Sequence, residues 1–225
     1  LVLDEVEEIL CPGDSSGSYL DGYENYGDLL KQIGQQRHKS CLLLTGRVPP
    51  LEIRELANTR GKVREMQLKG LEKDEAKKLL EDNGFPSSKD GIGQLIASYA
   101  AHPLALKMAA QTINNCHNGN IGEFLEGSSL FMDDYLVALL DKEFTYLSSL
   151  DREILRYIAG GDENNSIGKL IEILKSPERG RTDIQKSLNN LLQRGLIEQP
   201  STTQTDEANF TIEPVIKKYV NKRFS

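Results

Sequence analysis

The sequence predicts three consecutive parts: a remnant of a parallel α/β domain over residues 1–62, a mainly helical subdomain over 63–144 and a winged-helix subdomain over 145–225. Three observations carry this expectation. Two short, continuous apolar runs flank an amphipathic stretch near the start, apolar residues then recur at helical spacing from Met66 to Phe144, and the last 80 or so residues read as three helices followed by two short extended segments. A chain of 225 residues has room for one large domain or two to three small ones.

The first run is Leu1-Val2-Leu3, followed by Asp4-Glu5, and the second is Ser40-Cys41-Leu42-Leu43-Leu44-Thr45, followed by Gly46-Arg47. Continuous rather than alternating apolar character suits a strand buried on both faces of a parallel sheet. Between the runs lie a Gly/Ser-rich stretch, Cys11 to Tyr26, and a helix-spaced set, Leu29, Leu30 and Ile33. Strand, loop, helix, strand is a parallel crossover unit, whose ligands bind at the carboxyl ends of the strands. Asp4, Glu5, Thr45 and Arg47 fall there.

The helical part opens with Leu68 and Leu71 leading into Ala76, Leu79 and Leu80, with Asn83-Gly84 as a stop. A second helix carries Ile92, Leu95, Ile96 and Tyr99. Pro103 opens a third, since its fixed φ and missing N–H suit a first helical turn; Leu104, Leu106, Met108, Ala109 and Ile113 continue it, and Phe124 to Phe144 repeats the spacing. In the last part, Leu147, Leu150, Ile154, Leu155 and Ile158 end at Gly160-Gly161. Ser166 to Leu174 makes a second helix, and Thr182-Asp183-Ile184-Gln185 reads as a capping box before Leu188, Leu191 and Leu192. Leu196-Ile197-Glu198 and Asn209-Phe210-Thr211-Ile212 read as two strands around a polar turn, Pro200 to Ala208, and Pro214 opens a last helix through Phe224.

Composition narrows the function classes. No run approaches the roughly 18 to 20 apolar residues of a spanning helix, so no membrane insertion is expected. Cys11, Cys41 and Cys116 are scattered without C-x-x-C spacing, and His38, His102 and His117 lack ligand spacing, which argues against a disulfide framework and a zinc site and makes a reducing cytoplasm the expected location. Nothing at Leu1 resembles a signal peptide, and the apolar start reads as a chain beginning inside a domain. The net charge of −7 divides into −4 for residues 1–60, −4 for 61–144 and +1 for 145–225. Only Lys217, Lys218, Lys222 and Arg223 form a basic cluster, read as a solvated helix face, so nucleic acid is not an expected partner.

A strand ending in Asp-Glu has a use in phosphate chemistry: the first carboxylate holds a hydrated magnesium ion and the second orients or deprotonates an attacking water. The same residues also suit the acidic first turn of a helix. Thr45 and Arg47 at a neighbouring strand end could meet a terminal phosphate, hydroxyl to oxygen and guanidinium in a bidentate fork.

Taken together, LVLDEVEEIL, YGDLLKQIGQQRHKSCLLLTGR, HPLALKMAA and a closing FTIEPVIKKYV resemble the NB-ARC branch of the STAND signalling ATPases, particularly bacterial ones that precede WD or tetratricopeptide repeats. The resemblance covers essentially the whole chain. It implies that residues 1–62 are the later parallel strands of a P-loop NTPase, with Asp4 the Walker B magnesium carboxylate, Glu5 the acid assigned to hydrolysis, Arg47 the sensor arginine for the γ-phosphate and Thr45 beside it. Pro103, in Ala101-His102-Pro103-Leu104, takes the place of the G-x-P proline on the adenine side of the nucleotide. ATP, ADP and magnesium are the implied ligands of the intact protein, none held tightly by this stretch alone. An upstream P-loop segment, a C-terminal repeat sensor domain and a homo-oligomer formed on activation are the implied partners.

The sequence departs from the family at three places. Ala101 stands where the G-x-P glycine belongs, Ile212-Glu213-Pro214 replaces the Met-His-Asp motif, and no G-x-x-x-x-G-K-[ST] is present, since Gly61-Lys62 and Gly168-Lys169 are followed by Val63 and Leu170. A carboxylate at Glu213 would repel the phosphate that the family's histidine contacts. The expectation is therefore an ADP/ATP-dependent signal-transduction switch, with ATPase activity belonging to the intact protein. Two alternatives stand beside it: a winged-helix DNA-binding regulator, and an interaction adaptor with an inactive nucleotide site.

Overall fold

A computed structural model of the chain describes residues 1–14, 16–57, 61–126, 130–161, 165–177, 179–200 and 208–224. It is mainly helical and divides into two compact units, the first Leu1–Gln67, Thr145–Ile154 and Asn164–Phe210, the second Leu68–Phe144, Leu155–Glu163 and Thr211–Ser225.

The first unit begins with two short strands, β1 (Val2–Leu3) and β2 (Leu43–Leu44), which pair in parallel with Val2 opposite Leu43 and Leu3 opposite Leu44. The Leu43 N–H donates to the Leu1 carbonyl and the Thr45 N–H to the Leu3 carbonyl, both at 3.0 Å. Parallel strands need a long crossover, and α1 (Asn25–Gln35) supplies it. It packs against α2 (Leu51–Ala57) through buried Leu30 and Leu56. The buried Glu52 carboxylate on α2 accepts the Tyr19 hydroxyl at 2.8 Å and lies 3.6 Å from the Lys31 ammonium. Burial and this carboxylate hold the Tyr19 phenol protonated far above its ordinary range. The strand pair is not covered on both faces: Val2 is 62% and Leu43 56% exposed, because among the described residues nothing packs over those side chains.

The same unit holds the first half of α8 (Ser149–Ala159), α9 (Ile167–Leu174) and α10 (Arg181–Gln193). Ser148 and Asp151 cap α8 reciprocally. The Asp151 N–H donates to the Ser148 hydroxyl at 3.1 Å, and the Ser148 N–H to the Asp151 carboxylate at 2.9 Å. Asp151 is 2% exposed and also accepts the Ser187 hydroxyl and, at 3.0 Å, the Asn190 amide of α10. The cap of α10 differs from the expected Thr182/Gln185 box. The helix starts two residues earlier, and the Asp183 carboxylate accepts the Gly180 N–H at 2.8 Å, leaving Thr182 inside the first turn. The turn expected between the two closing strands falls at 201–207, outside the described residues. Asn209 makes an isolated antiparallel bridge to Ser166, supported by the Asn165 amide donating to the Phe210 carbonyl at 3.2 Å.

The second unit is built from α3 (Lys73–Asp82), α4 (Ile92–Ser98), α5 (Pro103–Cys116), α6 (Ile121–Glu126), α7 (Asp134–Thr145) and α11 (Pro214–Phe224). One core joins Leu80, Phe85, Leu95, Tyr99, Leu106, Ile113, Ile121, Leu136 and Val215. The helical stripes read from the sequence thus face one another, α3 against α4 and α5, and α4 against α6. Burial pushes the Tyr99 phenol up to about 12, and its hydroxyl donates to the Phe131 carbonyl at 3.1 Å.

Pro103 is the first residue of α5, as its geometry requires, and His102 caps the helix: its Nδ1 accepts the Ala105 N–H at 3.3 Å. The acceptor nitrogen must be unprotonated, and burial lowers the half-buried imidazole's pKa below 6.5, partly offset by its own backbone. The unfolded chain then binds the extra proton first. The cap's contribution is complete above pH 6.5 and lost as pH falls through the lower folded value. Thermal melts from pH 7.5 down to 5 should show a falling Tm that flattens in His102→Asn, which keeps a cap acceptor but does not titrate. A second prediction concerns Asp151: Asp151→Ala strands three buried donors and should cost about 3 kcal/mol in urea unfolding, with the m-value unchanged.

Candidate functional site

The carboxyl ends of β1 and β2 lie side by side because the register pairs Leu3 with Leu44, so Asp4 and Thr45 leave adjacent strands at the same level. The Thr45 hydroxyl donates to the Asp4 carboxylate. The Glu5 N–H lies 3.1 Å from the same carboxylate oxygen and 3.4 Å from the Thr45 hydroxyl. Asp4, Glu5, Thr45 and Arg47 are exposed. Of the five residues singled out from the sequence, the structure therefore brings Asp4, Glu5 and Thr45 into contact, and Arg47 follows two residues after Thr45.

Glu5 pays a local conformational cost for this arrangement: with φ 52° and ψ 49° it occupies the left-handed region, which favours glycine. The strand runs straight into a one-turn 3-10 helix, Val6–Ile9, and the reversal falls on Glu5. Strain at a non-glycine residue beside a carboxylate is a common mark of a working site.

Beneath the strand ends lies Glu7, which sequence reasoning missed. Its side chain is buried, 9% exposed, and accepts the Arg47 N–H at 3.3 Å. Gly46 permits the approach, since a Cβ there would stand 2.6 Å from Val6 Cγ2 and 2.9 Å from Glu7 Oε2. The available signals were a carboxylate three residues after Asp4 and a glycine between Thr45 and Arg47. Farther along the turn, Tyr146 donates to Glu8 at 3.1 Å, and the Arg194 guanidinium lies 5.8 Å from the Tyr146 ring centroid. Two more contacts reach the end of α10, Arg54 to the Gln193 side chain at 2.7 Å and Gln67 to the Leu192 carbonyl at 3.3 Å.

Pro103, the fifth residue, belongs to the second unit, where it is exposed at the start of α5. Ala101, two residues earlier, has φ 53°, in the left-handed region that favours glycine. Its carbonyl accepts the Leu71 N–H at 3.0 Å, and neighbouring Gly70 has no room for a Cβ, which would lie 2.3 Å from the Ala100 carbonyl oxygen.

Chemically, the strand ends offer an exposed carboxylate held by a hydroxyl and an amide, a second exposed carboxylate and a guanidinium. Among the described residues no three His, Cys, Asp or Glu side chains gather as a metal cage, and no helix is long and apolar enough to cross a membrane.

No family model matches the chain. Over 226 aligned positions it is 34% identical to an uncharacterized WD repeat-containing protein of Nostoc sp., a match that covers 98% of this chain and 17% of that protein. The chain thus corresponds to a small part of a much longer relative.

Glu5→Gly relieves the left-handed strain and should raise stability by about 1 kcal/mol, read as an increase in Tm. An unchanged or lower Tm would show that the Glu5 side chain itself contributes to folding.

Proposed function

We propose that this stretch is part of an ADP/ATP-dependent signalling switch of the NB-ARC type. The observation that carries the reading is the contact of Asp4 with Thr45 and Glu5 at the carboxyl ends of two parallel strands, where ligands of such sheets bind, with Arg47 two residues beyond Thr45. The bridge from Asn209 to Ser166 is a pairing that a winged helix would use, and left-handed Ala101 before Pro103 supports the G-x-P assignment. On this reading residues 1–62 are a remnant of the P-loop NTPase sheet, 63–144 the helical subdomain and 145–225 the winged helix.

The donor set suits magnesium. This ion keeps several waters and takes one or two carboxylates plus substrate phosphates rather than an all-protein cage, and Asp4 is a single exposed carboxylate already oriented by the Thr45 hydroxyl and the Glu5 N–H. When bound, the ion neutralises charge on the transferred phosphoryl group. Asp4 would hold it through water, Glu5 would orient or accept a proton from the attacking water, and Arg47 would meet the γ-phosphate. Arg47 then distinguishes ATP from ADP, and the differential contact shifts the balance between closed and open states.

An upstream P-loop segment supplies most phosphate contacts in this proposal, so the 225 residues alone bind nucleotide weakly or not at all. The Nostoc relative's name as a WD repeat-containing protein supports a repeat domain as the sensor partner; the proposal places that domain C-terminal, with a homo-oligomer formed on activation and the cytoplasm as the working compartment. The end of α10 meets the first segment through Arg54, Gln67 and the Tyr146–Glu8 pair, contacts suited to a closed state that lacks the family's histidine.

The test is Asp4→Asn and Arg47→Ala in the longer protein. Asp4→Asn should lower magnesium-dependent ATP turnover by about 100-fold, and Arg47→Ala should weaken ATP at least tenfold while leaving ADP affinity within twofold, by calorimetry. Tight ATP binding by the 225 residues alone, or no effect of either substitution, overturns the proposal.

A further inference from the structure

Burying a carboxylate is costly unless the chain has a use for its acceptor oxygens. Glu7 is buried on a one-turn helix that begins one residue after Glu5, and its carboxylate accepts the backbone N–H of Arg47 at 3.3 Å. The neighbouring backbone is shaped to the same contact. Gly46 leaves space that a Cβ would fill at 2.9 Å from Glu7 Oε2, and the Thr45 carbonyl accepts the Val6 N–H at 3.0 Å. The Thr45-Gly46-Arg47 turn is therefore tied to the turn after β1 at successive residues.

We infer that Glu7 is a positioning residue for Arg47: its buried carboxylate fixes the backbone from which the Arg47 side chain issues, and so sets the preference of the site for a nucleoside triphosphate over a diphosphate. This rests on the nucleotide reading above. Glu7 touches no ligand in this role. A guanidinium on a long stem meets a γ-phosphate only if its root is held, since a displacement of about 1 Å at a reacting group can cost 100-fold. A neutral oxygen acceptor preserves the tie, so glutamine can replace Glu7 where alanine cannot. Adding a methyl group at Gly46 attacks the same contact from the other side.

The experiment compares the longer protein with its Glu7→Ala, Glu7→Gln and Gly46→Ala variants by two readouts. Hydrogen exchange followed by mass spectrometry over the peptide spanning residues 44–50 reports the tie itself, and calorimetric affinities for ATP and ADP report its consequence. Glu7→Ala should speed exchange in that peptide and lower the ATP-to-ADP preference about tenfold, with ADP affinity within twofold of the parent. Glu7→Gln should recover both readouts, and Gly46→Ala should resemble Glu7→Ala. If Glu7→Ala changes neither exchange nor preference, or if Glu7→Gln behaves like Glu7→Ala, the inference is overturned. Should the parent protein bind neither nucleotide, the nucleotide reading fails, and with it the triphosphate preference, while the exchange comparison still decides whether Glu7 holds the Arg47 backbone.

Discussion

The parallel pairing of Val2 with Leu43 and Leu3 with Leu44 is the constraint on which the candidate site depends. Two bonds between the strands, from Leu43 to Leu1 and from Thr45 to Leu3, fix residues 41 positions apart, such as Asp4 and Thr45, at one level. A slip by one residue would reverse the faces of every side chain in a strand and separate Asp4 from Thr45. The pair is only two residues long on each side, so helix packing must hold the register: α1 carries the chain from one strand to the other and rests on α2 through Leu30 and Leu56.

Buried carboxylates do much of the remaining organisation in the first unit. Glu7 receives the Arg47 backbone, Glu52 receives Tyr19 beside Lys31, and Asp151 closes its own helix cap while receiving Ser187 and Asn190. Each ties two segments far apart in sequence. A carboxylate suits this work because it offers about four acceptor sites, and removing it leaves several donors unsatisfied. The second unit is organised differently, by one apolar core to which α3 to α7 and α11 each contribute side chains, among them Leu80, Leu106 and Ile113.

Among the described residues, non-glycine left-handed backbone falls at Glu5, at Ala100 and Ala101, and at Asn118, and the first two places are ones that the sequence had marked for function. Glu5 follows the strand-end aspartate in a left-handed conformation, and Ala100 and Ala101 adopt it just before His102 caps α5. In both cases a non-glycine residue is held there by bonds made elsewhere: the Glu5 N–H to Asp4 and Thr45, and the Ala101 carbonyl to Leu71. Such conformations persist when their surroundings over-determine them.

Local patterning alone determined α3, α4, the start of α5 at Pro103 and the two apolar strand runs, because apolar periodicity and proline geometry act within a few residues; the stretch read as Phe124 to Phe144 is instead two helices, Ile121–Glu126 and Asp134–Thr145. Local patterning also marked Asp4, Glu5, Thr45, Arg47 and Pro103. Tertiary structure alone decided that Asp4 and Thr45 touch, that Glu7 rather than an exposed acid holds the Arg47 backbone, and that Val2 and Leu43 stay exposed despite their apolar context. It also moved the α10 cap from Thr182 to Gly180 and Asp183. Hydrophobic pattern records what a segment needs to bury, whereas register and the burial of a particular carboxylate depend on partners tens of residues away.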